Sequence, residues 1–233
     1  DGLHTAAIYG FKLMLDHVLQ NFKPDTALVA FDAGKVTFRT KMYDDYKGGR
    51  NKTPNELTEQ IPYVRELIKD SGLHSYELAN YEADDIIGTL AKQADDAGYK
   101  TLIVTGDRDL TQLASENTTV AVTHKGVTDT EHYTPAHVEE KLGITPRQII
   151  DMKALMGDSS DNYPGVTKIG EKTAIKLVKQ FGSVEELYDH IDDLKKSKMK
   201  EHLIEDEEIA RQCKTLATIL RDAPLKIGLD DLQ

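Results

Sequence analysis

What constrains this chain most is a pair of short, uninterrupted apolar runs, each followed closely by an acid. Ala27-Leu28-Val29-Ala30-Phe31 runs into Asp32, and Thr101-Leu102-Ile103-Val104 runs into Thr105-Gly106-Asp107. A strand that is apolar on both faces must be covered on both, as in parallel sheets flanked by helices. The neighbouring stretches have helical spacing. Ile8, Phe11, Leu15 and Val18 share one face of a helix expected over 5–19; a second is expected over 56–69. Ala83, Ile86, Ile87, Leu90 and Ala94 belong to a third, which stops at Gly98. Short strands are expected near 74–78 and over 119–123, the latter before a turn at Lys125-Gly126. This alternation predicts an α/β fold with a mostly parallel central sheet. After Thr134-Pro135 the spacing is helical to about Asp222, broken between Gly157 and Gly170. An α/β core over 1–145 and a helical extension over 146–233 are therefore expected. Residues 35–55 have weak periodicity and read as a mobile loop or a loosely packed helix.

Composition narrows the function classes. Of 233 residues, 39% are hydrophobic, enough for a core, and no apolar run approaches the roughly 20 residues of a membrane helix. No basic-then-apolar leader opens the chain, and neither a P-loop nor a post-strand GxGxxG is present. One cysteine, Cys213, in an apolar helical stretch, excludes an internal disulfide and a cysteine zinc site and reads as a small core residue. A cytoplasmic, reducing setting is expected. The eight histidines show no zinc-like spacing, and Lys195-Lys196-Ser197-Lys198 reads as a solvated face. Net charge is −11, which by itself opposes nucleic-acid binding. The charge is segregated, however. Six basic residues face two acidic ones over 35–52, eight acidic face three basic over 77–109, and four lysines face one glutamate over 165–182.

The acids fall where a ligand site forms in open α/β sheets, at the carboxyl ends of strands. Asp32, Asp107 and Asp109 follow two expected strands, and Glu82, Asp84 and Asp85 open a helix between them. Asp158 and Asp161 lie three apart after Gly157. Each group has a plain structural reading: Asp84 and Asp85 as helix caps, the others as turn acids. Converging carboxylates would repel by about 4 kcal/mol per pair at ~4 Å and an effective dielectric near 20. No arginine cluster lies nearby in sequence to offset this, so the ensemble favours hard divalent cations, Mg²⁺ or Mn²⁺.

Tyr46-Lys47-Gly48-Gly49-Arg50, Tyr81-Glu82-Ala83-Asp84-Asp85, Gly106-Asp107-Arg108-Asp109-Leu110 and the run Gly157-Asp158-Ser159-Ser160-Asp161-Asn162-Tyr163-Pro164-Gly165-Val166 resemble the 5′-nuclease domain of bacterial DNA polymerase I, within the flap endonuclease superfamily. The resemblance extends from about Gly2 to Asp231. It implies a PIN-like 5′-nuclease fold, a helical arch over about 35–60 and a helix–three-turn–helix element over about 160–182. It implies two or more Mg²⁺ ions held by Asp32, Glu82, Asp84, Asp85, Asp107, Asp109, Asp158 and Asp161, with Mn²⁺ able to substitute. Lys47 and Arg50 match arch residues that steer and polarise the scissile phosphate, with Asp85 and Asp107 central to the chemistry; Tyr46 matches an aromatic on which a terminal base stacks, and Arg39 is a further candidate for phosphate contact. Gly165, Lys168, Gly170, Lys172, Thr173 and Lys176 match the duplex-binding element, where a K⁺ ion on loop carbonyls is also implied. The implied partners are DNA with 5′ flaps or nicks and RNA-primer/DNA junctions, met by a monomer in the bacterial nucleoid, either free-standing or with polymerase domains covalently joined.

In the family a strand with a further metal-site aspartate precedes the position that Asp1 matches. Asp1 has no apolar run before it and is not equated with that ligand, so residues 1–233 are expected to lack one core strand. Two other readings stay open. One is a DNA-binding module that does not cut. The other is a phosphatase using Asp107-Arg108-Asp109 as an Asp-x-Asp pair, which leaves the lysine-bearing extension without a purpose.

Overall fold

A computed structural model describes residues 6–48, 55–124 and 129–232. The first helix, α1 (Ala6–Phe22), turns Leu15 inward and packs on α3 (Asn55–Asp70). Between them come β1 (Leu28–Ala30) and α2 (Phe38–Met42). β1 pairs in parallel with β2 (His74–Tyr76), from Leu28 beside His74 to Ala30 beside Tyr76. α4 (Ala83–Asp96) then leads to β3 (Thr101–Thr105), a 3₁₀ turn (Arg108–Leu113) and β4 (Thr118–Thr123), which pairs in parallel with β3.

The α/β pattern of parallel strands and helices is present, with two details the sequence does not predict. The strands form two separate sheets, β1–β2 and β3–β4–β5, and among the described residues no strand joins them. α4 spans the division, packing against both β1 and β3. β5 (Thr130–Tyr133), absent from the expected pattern, lies antiparallel along the edge of β4. Its solvated sequence, Thr-Glu-His-Tyr, suits an edge and has no apolar run to announce it. The turn expected at Lys125-Gly126 lies outside the described residues.

Residues 35–48 are also more ordered than their weak periodicity implies. Thr37 caps α2 by accepting from the Arg39 N–H at 3.2 Å, while the Thr37 N–H donates to Thr40 Oγ1 at 2.8 Å. The Arg39 side chain then anchors this helix of only five residues.

The second half is helical: α5 (Pro135–Leu142), α6 (Gln148–Met156), α7 (Glu171–Phe181), α8 (Val184–Asp189), α9 (Lys198–Glu205) and α10 (Glu207–Ala217). α6 is the central rod. Ile149, Ile150, Met152, Ala154 and Leu155 are buried all round it, against α7 and α10. Cys213 packs inside α10 as a small apolar residue. Beyond α10 the chain runs back across the core. The Ile219 N–H donates to Gln112 Oε1 and the Ala223 N–H to Thr89 Oγ1, both at 2.9 Å. The Leu220 carbonyl presses on Gly88 so closely that any Cβ there would collide with it. A mid-helix glycine costs helix propensity, and close backbone approach explains its place in α4. No helix of the described residues is long and apolar enough to cross a membrane.

Candidate active site

The acids that follow β1 and β3 share one edge of the molecule with the first turn of α4. Asp32 Oδ1 accepts the Ala83 N–H at 2.7 Å, so the acid that follows β1 caps the start of α4 across 51 residues of sequence. Asp107 caps the 3₁₀ turn, accepting the Asp109 N–H at 2.8 Å. The turn after α6 brings in Asp158 and Asp161. It closes through a two-way backbone bridge between Asp158 and Tyr163, and Asp158 Oδ1 also accepts the Asp161 N–H at 3.1 Å. Gly157 and Gly165, both at positive φ, let the ends of this turn cross in contact, and a Cβ on either would strike the other's strand of chain.

Three of the eight expected acids meet at close range. Carboxylate oxygens of Asp109, Asp158 and Asp161 lie within 4.8 Å of one another. Asp107 acts on two neighbours: burial together with the Asp107 charge pushes Asp109 up to about 6 and Asp84 up to about 8. Asp158 moves the other way. Burial opposes its ionisation, but the Lys153 ammonium, bonded at 3.0 Å, and the backbone N–H groups of Asp161 and Ser160 together outweigh that and hold its carboxyl below the ordinary range.

Lys153 escaped the sequence reading. Its ammonium lies 3.3 Å from Asp109 and 3.0 Å from Asp158. The one available signal was a lysine in the otherwise apolar second half of α6, five residues before Asp158.

Glu82 and Asp85 belong to a different assembly, which corrects the expectation that no arginine offsets these acids. Arg39 is only 2% exposed and Asp85 0%. The guanidinium grips Asp85 with two 2.8 Å bonds and also donates to Glu82, to the Leu216 carbonyl at 3.0 Å and to the Thr218 carbonyl at 2.6 Å. Asp85 takes two further N–H groups, from Glu82 at 3.1 Å and Leu220 at 3.0 Å. Both its oxygens are committed, so Asp85 serves as a structural anion rather than an open metal or catalytic ligand. Arg39, equally enclosed, does not face a phosphate.

Tyr46 is corrected on the same ground. It is 6% exposed, lies near-parallel to Tyr163 at 6.4 Å between centroids and donates its hydroxyl to Glu82 at 3.2 Å. Buried there, it offers no face to a base. Lys47 Nζ also donates to Glu82, and the Lys47 N–H reaches the Asp161 carbonyl at 2.6 Å. Arg50 lies outside the described residues.

In the helical extension, Lys168, Lys172 and Lys176 are exposed, Thr173 is half-buried, and Gly170 opens α7 with nothing within 4 Å of a Cβ position. Gly165 differs. Buried against Gly157, it serves the chain crossing rather than an approach to phosphate.

Two family models match end to end: the 5′-3′ exonuclease N-terminal resolvase-like domain over residues 1–143 and the 5′-3′ exonuclease C-terminal SAM fold over residues 144–233. The chain is 60% identical over 231 residues to DNA polymerase I of Streptococcus pneumoniae R6, covering 99% of this chain and 26% of that protein. It is 57% identical over 232 residues to DNA polymerase I of Bacillus subtilis 168, again covering 26% of the relative. It thus spans about a quarter of the length of the curated relatives it matches. Among solved structures, T5 5′-exonuclease with bound zinc superposes with a TM-score of 0.80 at 22% identity, covering 99% of this chain and 88% of the other. The catalytic core of Rad2 in complex with a DNA substrate superposes with a TM-score of 0.57 at 19% identity, over 98% and 77%. These likenesses show the α/β 5′-nuclease fold with its helical extension.

Proposed function

This chain belongs to the 5′-3′ exonuclease family, and on that premise we propose that it is a structure-specific 5′ nuclease that hydrolyses DNA and RNA-primer phosphodiesters at single-strand/double-strand junctions. The observation that carries the proposal is the meeting of Asp109, Asp158 and Asp161 beside Asp107 and Asp84, with two carboxyls pushed to about 6 and about 8. Negative charge is in excess there even with Lys153 present. An all-carboxylate donor set fits a hard divalent ion, Mg²⁺ or Mn²⁺, with Asp107, Asp109, Asp158 and Asp161 as its holders and Asp32 and Asp84 beside them. Such an ion, when bound, supplies a Lewis acid for phosphodiester oxygens and acidifies a water.

The chain's own residues account for the rest of the proposal. Lys47, its ammonium on Glu82 at the edge of the site, orients the scissile phosphate. Gly170, Lys168, Lys172 and Lys176, with the amide end of α7, grip the duplex backbone without reading its sequence. The same reading divides the chain near residue 145, supported by the change from strands to helices after Tyr133. It also includes polymerase domains joined to this chain, as in the longer relatives.

A labelled 5′-flap duplex with Mg²⁺ tests the proposal. Cleavage is expected, and Asp107→Asn should abolish it while sparing binding. A chain that shifts the substrate but never cuts it would overturn the proposal in favour of a binding module.

A further inference from the structure

Asn162 is an exposed residue in a left-handed conformation, φ 57°, and its side chain does something that no local fold requires. Its Nδ2 donates to the Asp45 carbonyl at 2.8 Å, across 117 residues of sequence. Two positions along that same turn, the Lys47 N–H donates to the Asp161 carbonyl at 2.6 Å, and Tyr46 lies on Tyr163. The segment 45–47 and the segment 161–163 are therefore clipped together at three successive residues. Lys47 itself stands at φ 58°, a conformation that a non-glycine side chain adopts at a cost and that surrounding contacts must enforce.

From this geometry we infer that Asn162 is a positioning residue: it holds the backbone from which the Lys47 ammonium reaches Glu82 at the edge of the carboxylate cluster. The inference rests on the nuclease reading above, because it assigns Asn162 to the placement of Lys47 relative to Asp158 and Asp161. The chemistry is specific to an amide donor. An aspartate would set a carboxylate against the Asp45 carbonyl, and an alanine would lose the donor and strain the left-handed backbone. Glycine removes the donor alone, since it adopts positive φ freely. Little stability is at stake, because the bond is solvent-exposed. A purely structural role would therefore leave almost no trace in turnover.

The test compares the wild-type chain with Asn162→Gly and Asn162→Asp. Amide hydrogen exchange is expected to be at least tenfold faster at Lys47 in both variants, with protection of Ile149 and Ile150 in α6 unchanged. On a 5′-flap substrate with Mg²⁺, kcat is expected to fall at least tenfold, with KM within twofold. Unchanged exchange at Lys47, or unchanged kcat in a cutting wild-type background, would overturn the role of Asn162. Failure of the wild type to cut would instead overturn the nuclease reading, and the exchange measurement would still decide whether Asn162 holds Lys47.

Discussion

Two groups of carboxylates lie side by side at the head of α4, and the fold treats them in opposite ways. Asp85 and Glu82 face inward onto Arg39, whose five donors are all used by carboxylates and by carbonyls of the returning C-terminal segment. Asp84, one residue away, faces Asp107 and is pushed up to about 8, with Asp109 pushed up to about 6 beyond it. One group is charge-balanced and closed; in the other, three acids converge, with the Lys153 ammonium between Asp109 and Asp158. Adjacent acids in one motif can thus divide between building a scaffold and leaving charge for a cation. The dividing factor is which side of the helix turn meets a guanidinium.

Removing the balance of the closed group should have the largest effect. Arg39→Ala would strand Asp85, wholly buried, without a counter-ion, a loss that typically costs about 3–5 kcal/mol. Urea denaturation should show that drop, and a change below about 1 kcal/mol would erase the distinction between the two groups.

The open group should show its excess charge as a pH dependence. Asp84 and Asp109 titrate above the ordinary carboxylate value in the folded state, so the native chain holds more protons than the unfolded one from about pH 4 to about pH 8. Without divalent ions, stability should fall as pH rises through that window and level off above it. Asp158 and Glu131, both shifted downward, act below this range. Thermal melts in chelator at pH 5 to 8 would check this, and Mg²⁺ should flatten the slope. At pH 8 Asp109→Asn should raise metal-free stability while weakening divalent-ion affinity. A flat profile in chelator would mean that the open group is balanced after all.

The smallest effect sharpens the boundary between the groups. Tyr46→Phe removes one hydroxyl from Glu82 and should cost about 1 kcal/mol, leaving the pH profile of the open group unchanged. An unaltered melting temperature would detach Tyr46 from the closed network.

Legibility followed interaction range. β1 and β3 announced themselves as uninterrupted apolar runs, although the residues of β1 are only half-buried and Ile103 is the one buried residue of β3. β5 did not, since an edge strand with a solvated face needs none. The acids could be picked out as candidates from their places after strands and at a helix start, but their partners could not. Arg39 meets Asp85 across 46 residues and the Thr218 carbonyl across 179. Lys153 was hidden for the same reason: nothing local says which strand end α6 will pass.

Local order along the chain therefore determined the alternation of strands and helices, the acids at their ends and the lysines of α7, because period, capping and turn chemistry act over a few residues. Only the tertiary structure decided that Asp85 is enclosed while Asp109, Asp158 and Asp161 converge, and that Tyr46 is buried. Charge acts through space, and the distances that set its strength exist only once the chain has closed on itself.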